Sequence, residues 1–279
     1  MARLGRNRYG KAGVRLVKVD RGNARHELRD LTVAVALQGD FVEAHVTGDN
    51  ARILPTDTMK NSVYGLALEH LTGSVEDFAI FLAQHFMKAA PITSARVKVQ
   101  EHLWRRIAVD GHEHDHSFVR AGGEVRTTRV TATAGTVSVR SGIRGLNLLK
   151  TTASGFVGYI KDAFTTLPET TDRIFATSLN AEWSYDAGEH PYDELWRQAR
   201  AAIEETFAQQ HSLSVQHTLY AMGEEVLRRC PPVTRIRFAL PNKHHLLVDL
   251  TRFGLSNRNQ IFVATREPYG LIEGEVVRD

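Results

Sequence analysis

Three short segments carry the side chains best suited to acid–base chemistry: Tyr9-Gly10-Lys11, Pro55-Thr56-Asp57-Thr58-Met59-Lys60-Asn61 and Leu240-Pro241-Asn242-Lys243-His244. Together they offer an amine, a hydroxyl and an imidazole, and of these only the imidazole ordinarily titrates near neutral pH. Taken singly, each has a plain explanation. A lysine after Tyr-Gly is most often a solvated charge. Thr56 immediately precedes a helical stretch beginning near Met59 and suits a helix N-cap. That place is also chemically useful, because a helix N-terminus turns free N–H groups and a positive dipole end toward an anion. His244 reads as the tip of a polar turn between two strand segments. Phe156 reads as a core aromatic, Arg173 as a surface ion-pair partner, and Val215-Gln216 as the first turn of a helix after Ser214.

The histidine-dense stretch Gly111-His112-Glu113-His114-Asp115-His116 invites a metal reading. On a strand its histidines share one face, but ligands at strict i, i+2 spacing rarely converge on one small ion. The stretch is therefore expected to be a hairpin turn, with no metal. No nucleotide-cofactor motif occurs elsewhere.

Bulk composition narrows the class. Hydrophobic residues make up 42% and charged residues 24% of 279 residues, with a formal net charge of +3. These are ordinary values for a globular protein, and the length favours two domains. The basic opening (Arg3, Arg6, Arg8, Lys11, Arg15, Lys18) is diluted by acidic residues further on, which speaks against nucleic-acid binding. No apolar run reaches the ~18 residues of a membrane span, and the N-terminus lacks the apolar stretch of a secretory signal. The single cysteine, Cys230, cannot form an internal disulfide, and the chain closes on Val276-Val277-Arg278-Asp279 rather than Ser-Lys-Leu. A cytoplasmic protein is expected.

The elements that must position these residues recur in order. Val14–Val19 and Leu31–Leu37 alternate at period two, with Leu31, Val33, Val35 and Leu37 on one face. Helices are expected over 61–71 and 75–89, the second capped by Ser74 and Asp77 and carrying a stripe of Phe78, Phe81, Leu82 and Phe86. A long strand over 96–109 follows Pro91. The second half repeats this with strands over 125–130, 136–140 and 176–185, helices over 193–210 and 214–229, and a hairpin of 233–240 with 246–250. Letters echo as well: Arg52-Ile53-Leu54-Pro55-Thr56-Asp57 against Arg173-Ile174-Phe175-Ala176-Thr177-Ser178, and Pro91-Ile92-Thr93 against Pro232-Val233-Thr234. The pattern predicts a duplicated β-β-α-α-β-β unit, α+β in class, with domains 1–135 and 136–279. Each unit would be an antiparallel sheet with helices on one face, and the other face must be covered.

Read together, these segments resemble the urate oxidase family. The resemblance runs from Tyr9 almost to Ile272 through Tyr9-Gly10-Lys11, Pro55-Thr56-Asp57 with Lys60-Asn61, His116-Ser117-Phe118, Asp172-Arg173-Ile174, Ser214-Val215-Gln216 and Leu240-Pro241-Asn242-Lys243-His244. No block is specific alone; in register over the whole chain they are. The resemblance implies two tandem tunnelling-fold domains that pair into a β-barrel tunnel within a homotetramer, with active sites at subunit interfaces. It implies oxidation of urate by O₂ and water to 5-hydroxyisourate and H₂O₂, without cofactor. By the same resemblance Arg173 holds the urate anion, Gln216 pairs with the opposite purine edge, Val215 contributes a backbone contact and Phe156 stacks on the ring. Thr56 and Asp57 come from a neighbouring subunit, Asn242 anchors oxygen or water, and Lys11, Thr56 and His244 form a proton relay. The alternative is another tunnelling-fold enzyme acting on a pterin or purine.

Overall fold

A computed structural model describes residues 2–279 of the chain, which divides into two compact units at Gly142/Ile143. In the first unit the order is β1 (Tyr9–Asp20), β2 (Glu27–Gly39), a short α1 (Val42–Val46), α2 (Thr56–His70), α3 (Val75–Met87), β3 (Ile92–Val109) and β4 (His112–Thr133). Strands β1 to β4 lie side by side, each antiparallel to the next. The period-two pattern of β2 is realised: Leu31, Val33, Val35 and Leu37 are at most 2% exposed. They meet Met59 and Val63 of α2 and Phe78, Leu82 and Phe86 of α3 in one core. Phe81 leaves the expected stripe and instead stacks on His70 at 3.7 Å. Helix α3 starts with a reciprocal capping box, Asp77 N–H donating to Ser74 Oγ and Ser74 N–H to Asp77 Oδ2.

The histidine-rich stretch differs from expectation. The tight turn is Asp110-Gly111, both with positive φ (51° and 80°), and His112, His114 and His116 already lie on β4. Asp-Gly supplies the left-handed backbone a two-residue hairpin needs, so the turn falls there rather than on the histidines. The His114 and His116 rings meet edge-on at 4.5 Å. Among the described residues, no group of three or more His, Cys, Asp or Glu is placed to hold a metal ion.

Strand β5 (Thr136–Lys150) begins in the first unit and ends in the second. The second unit continues with β6 (Phe175–Tyr185), α4 (Tyr192–Gln209), α5 (Val215–Arg229), β7 (Val233–Lys243), β8 (His245–Leu247), a 3₁₀ turn η1 (Thr251–Phe253), β9 (Phe262–Ala264) and β10 (Gly270–Val277). Its core joins Leu179, Trp183, Ile236 and Phe238 from the sheet to Ala199, Ile203, Met222 and Val226 from the helices. The expected hairpin of 233–240 with 246–250 does not form. Strand β7 pairs with β6 on one side and with β10 on the other, and β8 pairs only with β9. Leu246 and Leu247 are about half exposed, whereas Ile272 and Val276 of β10 face Leu240 and Ile236 across the ladder. Cross-strand apolar pairs under a helix decide the partner over nearness in sequence. The letter echoes also part company. Pro91-Ile92-Thr93 and Pro232-Val233-Thr234 open equivalent strands, β3 and β7, but Arg52–Asp57 runs into a helix and Arg173–Ser178 into a strand. Among the described residues, no helix is long and apolar enough to cross a membrane.

Candidate active site

In the first unit, strand β1 sets the geometry. Gly10 lies so close to β2 that an added Cβ would sit 1.9 Å from the Val35 carbonyl oxygen, so glycine alone fits between Tyr9 and Lys11. Past Lys11 the pairing with β2 shifts register before Val14, a bulge that re-aims the strand at this point. Two residues before Lys11, and so on the same face, the Tyr9 hydroxyl accepts the Leu54 N–H at 2.9 Å while its ring packs edge-on against Phe41. That bond ties β1 to the segment entering α2. Farther along β1, Lys18 Nζ donates to the carbonyls of Ala67, Leu68 and Leu71 (3.1, 2.9 and 2.9 Å) at the other end of α2. A cation at a helix C-terminus satisfies free carbonyls and the negative end of the dipole. One strand thus grips α2 at both ends. Sequence reading missed Tyr9 and Lys18 as anchors; the i−2 tyrosine beside Lys11 was the available signal.

Thr56 is not the N-cap. Pro55 occupies that place, gives no side-chain cap, and Thr56 is the first helical residue. Proline's fixed φ suits the entry to a helix and leaves the first-turn N–H groups without a side-chain cap. Asp57 is turned back on its own helix, accepting Lys60 Nζ at 2.6 Å and Asn61 Nδ2 at 3.1 Å. The Lys60 bond chiefly, with the charge of Lys11 contributing, holds the Asp57 carboxyl below the ordinary carboxylate range. Lys11, Thr56 and Asp57 therefore belong to one neighbourhood: a half-buried amine beside an open helix N-terminus.

The second unit gathers the other candidates. Residues 153–156 are knitted to two segments at once: Gly155 N–H donates to Ser212 and Ser212 N–H to Ala153, while Phe156 and Thr170 exchange bonds and Arg173 N–H donates to Ser154. This lattice holds Phe156, Arg173 and the start of α5 together. Arg173 Cζ stands 5.2 Å from the centre of the Phe156 ring, whose other neighbour, Tyr159, stacks at 4.7 Å. The guanidinium is half-buried, and burial alone lowers its pKa, with no anion to offset it. Among the described residues it has no carboxylate partner, the opposite of the expected surface ion pair. Ser214 caps α5 by accepting His217 N–H, so Val215 and Gln216 form the first turn as expected, Val215 buried and Gln216 exposed.

Asn242, near the end of β7, lies opposite Thr177 of β6 and Gly270 of β10. Thr177 Oγ1 is buried and finds no hydrogen-bond partner. His244 follows two residues later, half-buried at the break between β7 and β8, its carbonyl accepting the N–H and hydroxyl of Thr265 at 2.9 and 3.1 Å. The candidates thus form two groups: Lys11, Thr56 and Asp57 in the first unit, and Phe156, Arg173, Val215, Gln216, Asn242 and His244 in the second. One group offers an amine and a hydroxyl for proton transfer; the other offers an unpaired planar cation, an aromatic face and amide groups for a flat anion.

Similarity to known proteins extends over both halves of the chain. The uricase family profile matches residues 7–131 and 139–273. The uricase of Arthrobacter globiformis is 44% identical over 277 residues, covering 99% of this chain and 90% of the relative. That of Dictyostelium discoideum is 39% identical over 283 residues, covering 100% and 98%. The crystal structure of the Arthrobacter globiformis uricase superposes with a TM-score of 0.95 over 100% of this chain and 96% of that one. The urate oxidase of Bacillus sp. TB-90, at 23% identity, shares the fold with a TM-score of 0.85, covering 98% of this chain and 100% of that one. The fold is accordingly the α+β tunnelling fold of these structures, with antiparallel sheets. On the match in both halves and along nearly its whole length, the chain belongs to the uricase family.

Proposed function

We propose that the protein is a urate oxidase that works without metal or organic cofactor, converting urate, O₂ and water to 5-hydroxyisourate and H₂O₂ in purine catabolism. The observation that carries this reading is Arg173: a half-buried guanidinium lying over an aromatic ring with no acidic partner. Its counter-ion is the urate anion, bound through the planar two-pronged geometry that lysine cannot supply. Gln216 meets the opposite edge with one donor and one acceptor, Val215 adds a backbone contact at the helix N-terminus, and Phe156 stacks on the purine.

The chemistry asks little more than protons and placement. Urate is electron-rich, and once deprotonated further it reduces O₂ itself. A peroxide adduct forms at C5; hydroperoxide leaves from it as H₂O₂, and water adds at C5 to give the hydroxylated product. Lys11 draws the proton of Thr56, and His244 passes protons onward. Asn242 holds the oxygen or water above the ring. Beside it, the buried Thr177 hydroxyl without a protein partner suits a water held there. Thr56 and Asp57, with Lys11 from the same unit, reach the purine from a neighbouring subunit, so the working form is a homotetramer whose sheets close into a barrel and whose sites lie at subunit seams.

The test is disappearance of the ultraviolet absorbance of urate with one equivalent of peroxide, surviving strong chelators. Lys11→Ala and Thr56→Ala each cut kcat by about 100-fold if these residues transfer protons. No peroxide from the wild type refutes the activity, and full turnover in both variants refutes the relay.

A further inference from the structure

The face of the first sheet opposite its core carries a second feature that proton transfer does not use. Along β2, Val33 and Val35 point into the core, so Ala34 and Ala36 point the other way; across the ladder they pair with Lys98 and Arg96 of β3. On the other side of β2 runs β1, with Arg8 just ahead of it and Lys11 within it. These residues line one groove of about 330 Å³. Its floor is two alanines, and its walls, one strand spacing to either side, stand roughly 10 Å apart. Both walls carry cations, and no lining residue is a carboxylate. Among the described residues, Arg8, Arg96 and Lys98 have no ion-pair partner, and the Nε of Arg96 is buried without an acceptor. Surface arginines and lysines in folded proteins are ordinarily interspersed with acids. Here Arg8, Arg96 and Lys98 face a trough with a floor of small side chains and none of the three has an acidic partner, while Lys11, opposite Val35, borders the groove from the core-facing side of β1.

We propose that this groove is an anion-binding site that receives the substrate's purine monoanion and delivers it toward Lys11 and Thr56, with Arg96 and Lys98 as capture residues outside the catalytic group. The inference rests on the urate-oxidase reading above. A cleft lined by one sign of charge concentrates ions of the other sign at its mouth, and the effect weakens with salt. The shallow alanine floor leaves room for a flat ring, and the flanking cations hold its charge from both sides without fixing its orientation. Fine alignment is left to Arg173 and Gln216. Capture thus affects how much substrate arrives, not the rate of the chemical step.

The experiment compares wild type, Lys98→Gln, Arg96→Gln and the double variant in two measurements. Steady-state oxidation of urate is followed at low and high ionic strength, and urate binding is measured by anaerobic equilibrium dialysis, where no turnover occurs. Each lost charge is expected to raise KM and the anaerobic Kd about threefold, the scale of one charge acting through a solvent-like dielectric. The double variant is expected near tenfold, with kcat within twofold of wild type. The fall of kcat/KM with salt becomes shallower in every variant. Exposed Lys98→Gln keeps the test open if Arg96→Gln fails to fold. A wild type that oxidises urate while folded variants keep its KM, Kd and salt dependence overturns the capture role. A wild type that neither binds nor oxidises urate overturns the reading of the site itself, and the capture role with it.

Discussion

Tyr9→Phe isolates a single oxygen that joins strand β1 to the entrance of helix α2. The ring remains to pack on Phe41, so the substitution removes only the acceptor of the Leu54 N–H at 2.9 Å. A neutral hydrogen bond contributes about 1 kcal/mol net, and leaving a partly buried N–H unpaired adds up to about 1 kcal/mol more. The loss is therefore about 1–2 kcal/mol, a fall of roughly 3–6 °C in Tm for a chain of this size. The bond sits two residues from Lys11 and two from Thr56, so the same freedom loosens the amine against the hydroxyl. If about 1.4 kcal/mol of that positioning is lost from the transition state, kcat falls about tenfold. KM stays within twofold, because Arg173 and Gln216 are untouched. Lys18→Met is the control. It releases the far end of α2, about 20 Å along a 15-residue helix, and is expected to lower Tm with little change in kcat. Urate absorbance and peroxide release give the rates, and thermal melting gives the stability. Tyr9→Phe with wild-type kcat and a lowered Tm would show that the hydroxyl merely stabilises the fold, and the positioning argument fails.

Arg173→Lys keeps the charge but loses the planar fork and its seat over Phe156, so KM for urate is expected to rise by an order of magnitude or more; steady-state kinetics check it. Burial pushes the Cys230 thiol up to about 11, so a disulfide reagent at pH 8 should label none of the native protein and one thiol after denaturation. Glu225 is held down at about 2, against an ordinary 4.5, chiefly by the hydrogen bond from Arg228, with Arg229 adding to it at the end of α5. A depressed carboxyl stabilises the fold above its unfolded pKa and loses that contribution as pH falls from 4.5 toward 2. Denaturant titrations across that range should show a steeper loss of stability in the wild type than in Glu225→Gln.

Local patterns in the sequence foretold local structure well. Alternation in β2, the Ser74-Asp77 capping box and the start of α5 after Ser214 depend on neighbours within a few residues, and each formed where expected. What the letters did not reveal was choice of partner. Strand β7 takes β10 rather than the nearer 246–250 because Ile272 and Val276 supply the apolar pairs that its helix-facing side requires. The echo of Arg52–Asp57 with Arg173–Ser178 marks no common element, since the first run enters a helix after Pro55 and the second enters a strand. At the site, residue types were readable but their surroundings were not. Arg173 looked like half of a surface ion pair, and only the packing of 153–156 against 170–173 and 212 showed that it has a ring and no acid. The anchoring bonds of Tyr9 and Lys18 span 45 to 53 residues, and no short-range pattern encodes them.

The duplication itself bears on how such a site must be assembled. Apart from the short α1 in the first unit and the β8–β9 excursion in the second, both units follow the order of two strands, two helices and two strands, yet they do not offer equivalent positions. The first offers the N-terminus of α2, opened by Pro55 and bearing Thr56 and Asp57. The second contributes the N-terminus of its second helix, α5, capped by Ser214 and bearing Val215 and Gln216. On the proposed reading Arg173 of the second unit holds the flat anion, while the first unit offers Lys11 and a helix without a side-chain cap. On the proposed assignment the purine contacts fall on the second unit, while the relay draws on both, Lys11 and Thr56 from the first and His244 from the second. If the first unit of one subunit faces the second unit of its neighbour, a two-fold axis between them makes two complete sites from two chains, and neither chain needs a site of its own. The proposed seam is then a consequence of divergence between repeats, and an obligate oligomer follows from it: dilution to monomers should abolish turnover while each chain keeps its urate-facing arginine.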